Sequence, residues 1–124
     1  MRAIVISKNG EPDVLQIREL PDPVPGDGDL LIRVRAFGVN HAETHMRKGE
    51  WAEAAQVSGI ECVGTIAHDP SGGLAEGTTV AAIMGGMGRT RKGSYAEYVA
   101  APITNVAKLD TTLSWPDLAA IPES

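Results

Sequence analysis

The sequence contains a single cysteine, Cys62, among 124 residues. One thiol excludes an internal disulfide and any zinc site built from several cysteines of this chain. Acidic residues outnumber basic ones, 16 to 11, for a formal charge of -5, which argues against a nucleic-acid partner because phosphate binding needs basic residues. No apolar run approaches the roughly 20 residues that cross a bilayer. We therefore expect a cytoplasmic protein that has neither a nucleic-acid nor a membrane partner.

Glycine and proline are abundant, at 14 and 8 residues, and they stand between short apolar runs. This distribution predicts many short strands joined by tight turns. Two short helices are also predicted, since Asn40 with Glu43 and Ser114 with Asp117 have the spacing of capping signals. Gly49 is a suitable end for the first helix. The sequence therefore predicts one mainly β domain, with strands at 3–7, 14–20, 30–37, 60–67, 79–84, 94–100 and 105–109.

Most side chains that could perform chemistry lie in residues 38–51, directly after the most regular strand pattern. His41 and His45 are four residues apart, so on a helix they share a face and could reach one metal ion. No third ligand is evident, and Glu43 would point away from both histidines. We therefore favour an interpretation in which the histidines are polar groups at a helix surface or cleft.

Two other features carry weaker signals. Cys62 has apolar neighbours and no basic residue nearby in sequence, which favours a buried structural thiol over a nucleophile. Residues 85–93 are rich in glycine and basic side chains. They do not form a phosphate loop, because Lys92 is followed by Gly93 instead of serine or threonine. A solvated hairpin loop and a loop that touches an anionic ligand both remain open.

Four stretches, taken in order, resemble one known family. The chain is similar to the N-terminal, GroES-like catalytic domain of the medium-chain dehydrogenase/reductase superfamily, and within it to the zinc-independent quinone oxidoreductase branch. The resemblance covers residues 1–124 and implies a mainly β fold, a GroES-like partly open β-barrel with short helices. The stretches are Asn9-Gly10-Glu11-Pro12, Pro21-Asp22-Pro23-Val24-Pro25-Gly26, Gly38-Val39-Asn40 and Gly93-Ser94-Tyr95-Ala96-Glu97-Tyr98.

The same resemblance implies that metal is absent. In the zinc-dependent alcohol dehydrogenases a cysteine stands at the place of Asn40 and a histidine at the place of Ile60. A catalytic zinc needs three protein ligands, and isoleucine provides none. The cysteines of the structural zinc lobe would fall near residues 85–93, where this chain has none.

By resemblance, the expected reaction is hydride transfer from NADPH to a conjugated carbonyl, a quinone or an enone. Asn40 would lie beside the nicotinamide or the substrate carbonyl, or would serve only as a helix cap. His45 would be a proton donor or a wall of the pocket, and His41 would act in a proton relay. Arg47 would contact a cofactor phosphate or merely a neighbouring carboxylate. The expected pocket walls are Glu43, Trp51 and Ile60.

In the family, a Rossmann domain follows this domain and holds the dinucleotide. The resemblance therefore implies that the 124 residues are a fragment, inactive alone, whose partner is the missing Rossmann domain of the same parent chain. The parent is expected to be a homo-oligomer. The alternative is a free-standing GroES-like binding or regulatory module without catalysis, although a co-chaperonin would need a mobile loop with an apolar tip and residues 85–93 are basic.

Overall fold

The computed structural model describes residues 1–51 and 54–122. Within them the chain forms seven strands, two α-helices and two single-turn 3-10 helices (Pro12–Val14 and Ile103–Asn105), and the strand pattern agrees closely with the one predicted from sequence. The strands are β1 (Arg2–Ile6), β2 (Leu15–Glu19), β3 (Asp29–Ala36), β4 (Glu61–His68), β5 (Thr79–Ile83), β6 (Tyr98–Pro102) and β7 (Val106–Lys108); the helices are α1 (His41–Lys48) and α2 (Trp115–Ala119).

Five strands form one antiparallel sheet in the order β6-β3-β4-β5-β7, and β1 and β2 form a separate hairpin. Isolated bridges from Ala3 to Ala96 and from Val5 to Val57 attach the hairpin to the rest of the molecule. The larger sheet curls into a half-barrel. The predicted GroES-like, mainly β fold is therefore confirmed.

Strand β3 lies between β6 and β4 in the larger sheet, and its side chains alternate between buried and exposed. Leu30 and Ile32 are completely buried, whereas Arg33 and Arg35 are exposed, the period of a strand with one face on the core. Leu30 and Ile32 belong to a cluster that β4, β5 and β6 complete with Ile66, Val80, Ala82, Val99 and Ala101. Among the described residues, no helix is long and apolar enough to span a membrane.

The predicted strand at 94–100 is partly wrong, because β6 begins only at Tyr98. Residues 93–95, which precede β6, cross residues 57–59, which lead into β4. The backbone N–H of Gly93 donates to the carbonyl of Val57 at 2.8 Å, and that of Tyr95 donates to Ser58 at 3.0 Å. The crossing is so tight that a Cβ on Gly93 would overlap the Ser58 carbonyl oxygen. This crossing takes residues 93–95 out of the sheet.

Candidate functional site

Helix α1 follows β3 and begins where the sequence predicts. The Asn40 backbone is extended, and its N–H donates to Oε2 of Glu43 at 2.9 Å. This contact is the glutamate half of a capping box. The helix ends at Gly49, whose φ of 80° is left-handed and favours glycine. Local sequence signals thus fix both ends of the helix that carries most candidate residues.

Glu43 lies on the buried side of α1, and its side chain is only 5% exposed. Burial raises the pKa of its carboxyl group, while hydrogen bonds from the backbone, those of Asn40 and Ile60 among them, oppose that increase. Oε1 of Glu43 and Nδ2 of Asn40 are buried and have no hydrogen-bond partner of good geometry among the described residues. Glu43 therefore ties the start of α1 to the segment before β4.

The opposite side of α1 carries a row of rings. His41 is exposed, and its ring lies edge-on to that of His45, with centroids 4.9 Å apart. His45 is parallel to Trp51 at 5.8 Å, and its Nδ1 lies 2.6 Å from Oε2 of Glu50. The guanidinium of Arg89 stands 5.8 Å from the Trp51 ring centre. The structure therefore brings three predicted site residues together on one accessible surface: His41, His45 and Trp51.

Arg47 belongs to neither group. Its Nε donates to the carbonyl of Gly10 at 3.0 Å, and Gly10 N–H donates back to the Arg47 carbonyl at 2.9 Å. These bonds fasten α1 to the turn between β1 and β2. Arg47 also borders a cavity of about 170 Å³ whose other lining residues are Leu15, Val39, Glu43, Thr44, Ser58 and Tyr95.

Tyr95 is a residue of this region to which sequence reasoning gave no role. Its side chain is 7% exposed and its ring stacks on Phe37 at 4.5 Å. Burial raises the pKa of its hydroxyl, and the nearby Glu43 carboxylate adds to the increase. The run Gly93-Ser94-Tyr95 served only as a family landmark in the sequence, and no local pattern showed that it meets α1.

The side chains at this site do not match the ligands that hold a catalytic zinc ion in the alcohol dehydrogenase members of the fold family. Ile60 is 5% exposed and its carbonyl accepts from Met84 N–H at 2.7 Å, so this position provides packing. Across residues 1–51 and 54–122, no three histidine, cysteine, aspartate or glutamate side chains cluster as metal ligands. Asn40 and Ile60 therefore cannot serve as the cysteine and histidine ligands of such a centre.

Cys62 has the structural role that its apolar neighbours indicated. It is 1% exposed, and burial raises the pKa of its thiol to about 12. Residues 85–93 are less free than a solvated hairpin: Met87 is 1% exposed, and Arg91 pairs with Asp29 at 3.0 Å. Thr90 and Lys92 remain at the surface. This segment is therefore anchored at both a core residue and an ion pair.

The chain is similar to known proteins over nearly all of its length. Over 98% of its length the chain is 34% identical to human quinone oxidoreductase, and it spans 37% of that protein. Its fold matches a solved NAD-dependent alcohol dehydrogenase with a TM-score of 0.89 at 31% identity, covering 98% of this chain and 43% of the other. It also matches the quinone oxidoreductase of Thermus thermophilus, solved with and without NADPH. That match has a TM-score of 0.77 at 31% identity and covers all of this chain and 37% of the Thermus thermophilus enzyme.

A curled antiparallel half-barrel with a short polar helix after strand β3 defines the class as a GroES-like domain. Residues 26–111 match the model of the alcohol dehydrogenase GroES-like domain, and the chain belongs to that family. The sequence-based assignment to the medium-chain dehydrogenase/reductases is thereby confirmed. The chain spans little more than a third of the curated quinone oxidoreductases it matches.

Proposed function

We propose that the chain is the substrate-side domain of a zinc-independent, NADPH-dependent oxidoreductase that reduces quinones or enones. The observation that carries this proposal is similarity to quinone oxidoreductases over 98% of the chain. The replacement of two zinc positions by Asn40 and Ile60 supports the zinc-independent form. In this proposal residues 1–124 form one GroES-like domain, and a Rossmann domain outside them holds the dinucleotide.

NADPH, when bound, would supply a hydride, and the reduction of a quinone or enone also consumes one proton. The substrate oxygen gains negative charge as hydride arrives, so the pocket needs a hydrogen-bond donor where a metal is absent. The side-chain amide of Asn40 would be this donor. Its buried Nδ2 makes no hydrogen bond of good geometry within the described residues but lies close enough to the Glu43 carboxyl to oppose the rise in the pKa of that group, so it would turn from Glu43 to the substrate.

The proton would come from the imidazole row. His45 is held by Glu50 and Trp51, so its ring has a defined orientation, and His41 lies beside it as a second relay group. Imidazole is suited to this work because its pKa lies near neutrality. Trp51, Glu43 and Ile60 would shape the pocket, the last two from beneath the helix.

Arg47 would reach a cofactor phosphate only through its terminal nitrogens, since its Nε already donates to Gly10. The fold gives less support to the alternative, a non-catalytic binding module. A co-chaperonin-like partner would use residues 85–93 as a mobile loop, yet Met87 and Arg91 anchor that segment. We further propose a cytoplasmic location and a homo-oligomeric parent protein.

A chimera tests the proposal, with this chain replacing the N-terminal domain of the Thermus thermophilus quinone oxidoreductase. We expect quinone-dependent oxidation of NADPH by the chimera and none by the chain alone. Asn40→Ala should lower kcat by about 100-fold to 1,000-fold, the usual effect of removing one oxyanion donor. The exposed Asn9→Ala serves as the matched control. A folded chimera that binds NADPH but reduces no quinone, or that contains stoichiometric zinc, would contradict the proposal.

A further inference from the structure

The outer face of α1 presents two imidazoles one helical turn apart. His41 is exposed, and the side chain of His45 is 35% exposed. Their rings are nearly perpendicular, at 84°, with centroids 4.9 Å apart. Solvent therefore reaches both rings from the same side of the helix.

A carboxylate fixes the orientation of one ring. Nδ1 of His45 lies 2.6 Å from Oε2 of Glu50. When that nitrogen carries the proton and donates to the carboxylate, the lone pair is left on Nε2. Histidine ligands of metals are commonly held by such a carboxylate, which sets the tautomer and raises the basicity of the other nitrogen.

The distance between the rings suits a shared ion. With a metal–nitrogen bond of about 2.0–2.1 Å, two imidazole centroids that share one ion lie at most about 6.4 Å apart. The observed 4.9 Å lies within that limit.

We propose that His41 and His45 form a surface chelate for a divalent transition-metal ion, with Cu²⁺ bound most tightly. Imidazole suits copper, nickel and zinc, and their affinities for one nitrogen site rank copper first. The described residues provide no third ligand, so water would complete the coordination and the ion would exchange readily. The site is distinct from the positions of Asn40 and Ile60.

This site goes beyond the proposed reaction and does not depend on it. An ion held there would occupy the two imidazoles that the proposed reaction uses as proton donors. Excess Cu²⁺ should therefore inhibit the active chimera reversibly, whereas binding itself is measured on the chain without any activity assay.

Fluorescence of Trp51 offers a direct measurement because its ring is stacked on His45. In a chain without a polyhistidine tag, Trp115→Phe leaves Trp51 as the only tryptophan, and Cu²⁺ should quench it saturably at one ion per chain. His41→Ala and His45→Ala should each weaken binding by at least about tenfold, and Glu50→Gln by about tenfold. The control is His68→Ala, an exposed histidine outside α1, which should leave binding unchanged.

A second measurement needs no substitution. Substoichiometric Cu²⁺ should broaden the amide resonances of α1 before all others in the wild-type chain. Equal affinities for His41→Ala and the wild-type chain, or broadening that begins at Met1 or His68, would overturn the proposal. Tighter binding of Zn²⁺ than of Cu²⁺ would overturn the assigned metal preference.

Discussion

Glu43 offers the sharpest test of how α1 is held. We consider Glu43→Ala, which removes the carboxylate that accepts from the Asn40 N–H, and Glu43→Gln, which keeps the shape and one oxygen acceptor. The matched control is Glu76→Ala, a glutamate exposed in a turn. The comparison separates loss of the hydrogen bond from loss of charge.

The expected magnitude follows from the contacts. Glu43→Ala leaves the N–H of Asn40 without its acceptor, which costs about 1–3 kcal/mol, and opens a void where a side chain is 5% exposed. A loss of about 2–4 kcal/mol in the free energy of unfolding is expected. For a chain of this size that loss lowers Tm by roughly 6–20 °C. Glu76→Ala should stay within about 0.5 kcal/mol of wild type.

The pH dependence has a definite sign. Burial raises the pKa of Glu43 in the folded state, so the folded chain binds this proton more tightly than the unfolded chain. The contribution of Glu43 to stability is therefore fully present below the unfolded pKa and is lost as pH rises through the folded pKa. The glutamine of Glu43→Gln does not ionise and so loses no stability in this way. The stability of Glu43→Gln relative to wild type should therefore increase as pH rises from the unfolded pKa of Glu43 through its folded pKa.

Urea unfolding followed by circular dichroism, repeated from acid to neutral pH, measures both effects. Equal midpoints for Glu43→Ala and Glu76→Ala would show that the Asn40–Glu43 contact contributes nothing. A stability difference between Glu43→Gln and wild type that does not change with pH would show that the carboxyl group titrates normally in the folded chain.

Three further outcomes are expected. Gly64→Ala should lower the free energy of unfolding in urea by more than about 3 kcal/mol, because the added Cβ would overlap the Arg33 carbonyl oxygen. The control Gly26→Ala should not lower it by that amount, because the nearest atom to its added Cβ is 3.6 Å away. Cys62 should resist iodoacetamide in the native chain and react fully in urea, since its thiol pKa is about 12 and the side chain is buried; native labelling, read by mass spectrometry, would refute this. Ser94→Ala should cost about 1–3 kcal/mol in thermal unfolding, because Oγ donates to the Glu61 carbonyl at 2.5 Å; an unchanged Tm would contradict it.

Sequence alone predicted the elements whose signals are local. The ends of α1 follow from Asn40, Glu43 and Gly49, which act within one turn of the helix. The alternation in β3 likewise needs only the chain itself. The start of β6 could not be predicted this way, because residues 93–95 are diverted by bonds to Val57 and Ser58, more than 30 positions earlier.

Sequence placed the candidate residues in one segment but could not show which parts of the fold each of them contacts. Its density of polar groups pointed to residues 38–51, and helical spacing placed Glu43 away from the histidines. Spacing could not show that Arg47 bonds to Gly10, 37 residues earlier. Nor could it show that Tyr95 approaches the underside of α1, since that contact depends on how β1 and the 93–95 crossing pack together.

The close crossing near Gly93 has a consequence for protein engineering. Inserted residues between 88 and 93 would push against the carbonyls of Ser58 and Gly59, which a single added Cβ at Gly93 would already overlap. The turn at Gly72 is the reverse case, with open space around an added Cβ. An epitope tag inserted between Gly72 and Gly73 would disturb the turn around Asp69, whose Oδ2 accepts from Leu74 N–H at 2.8 Å, but it should leave residue 60 and the first turn of α1 undisturbed.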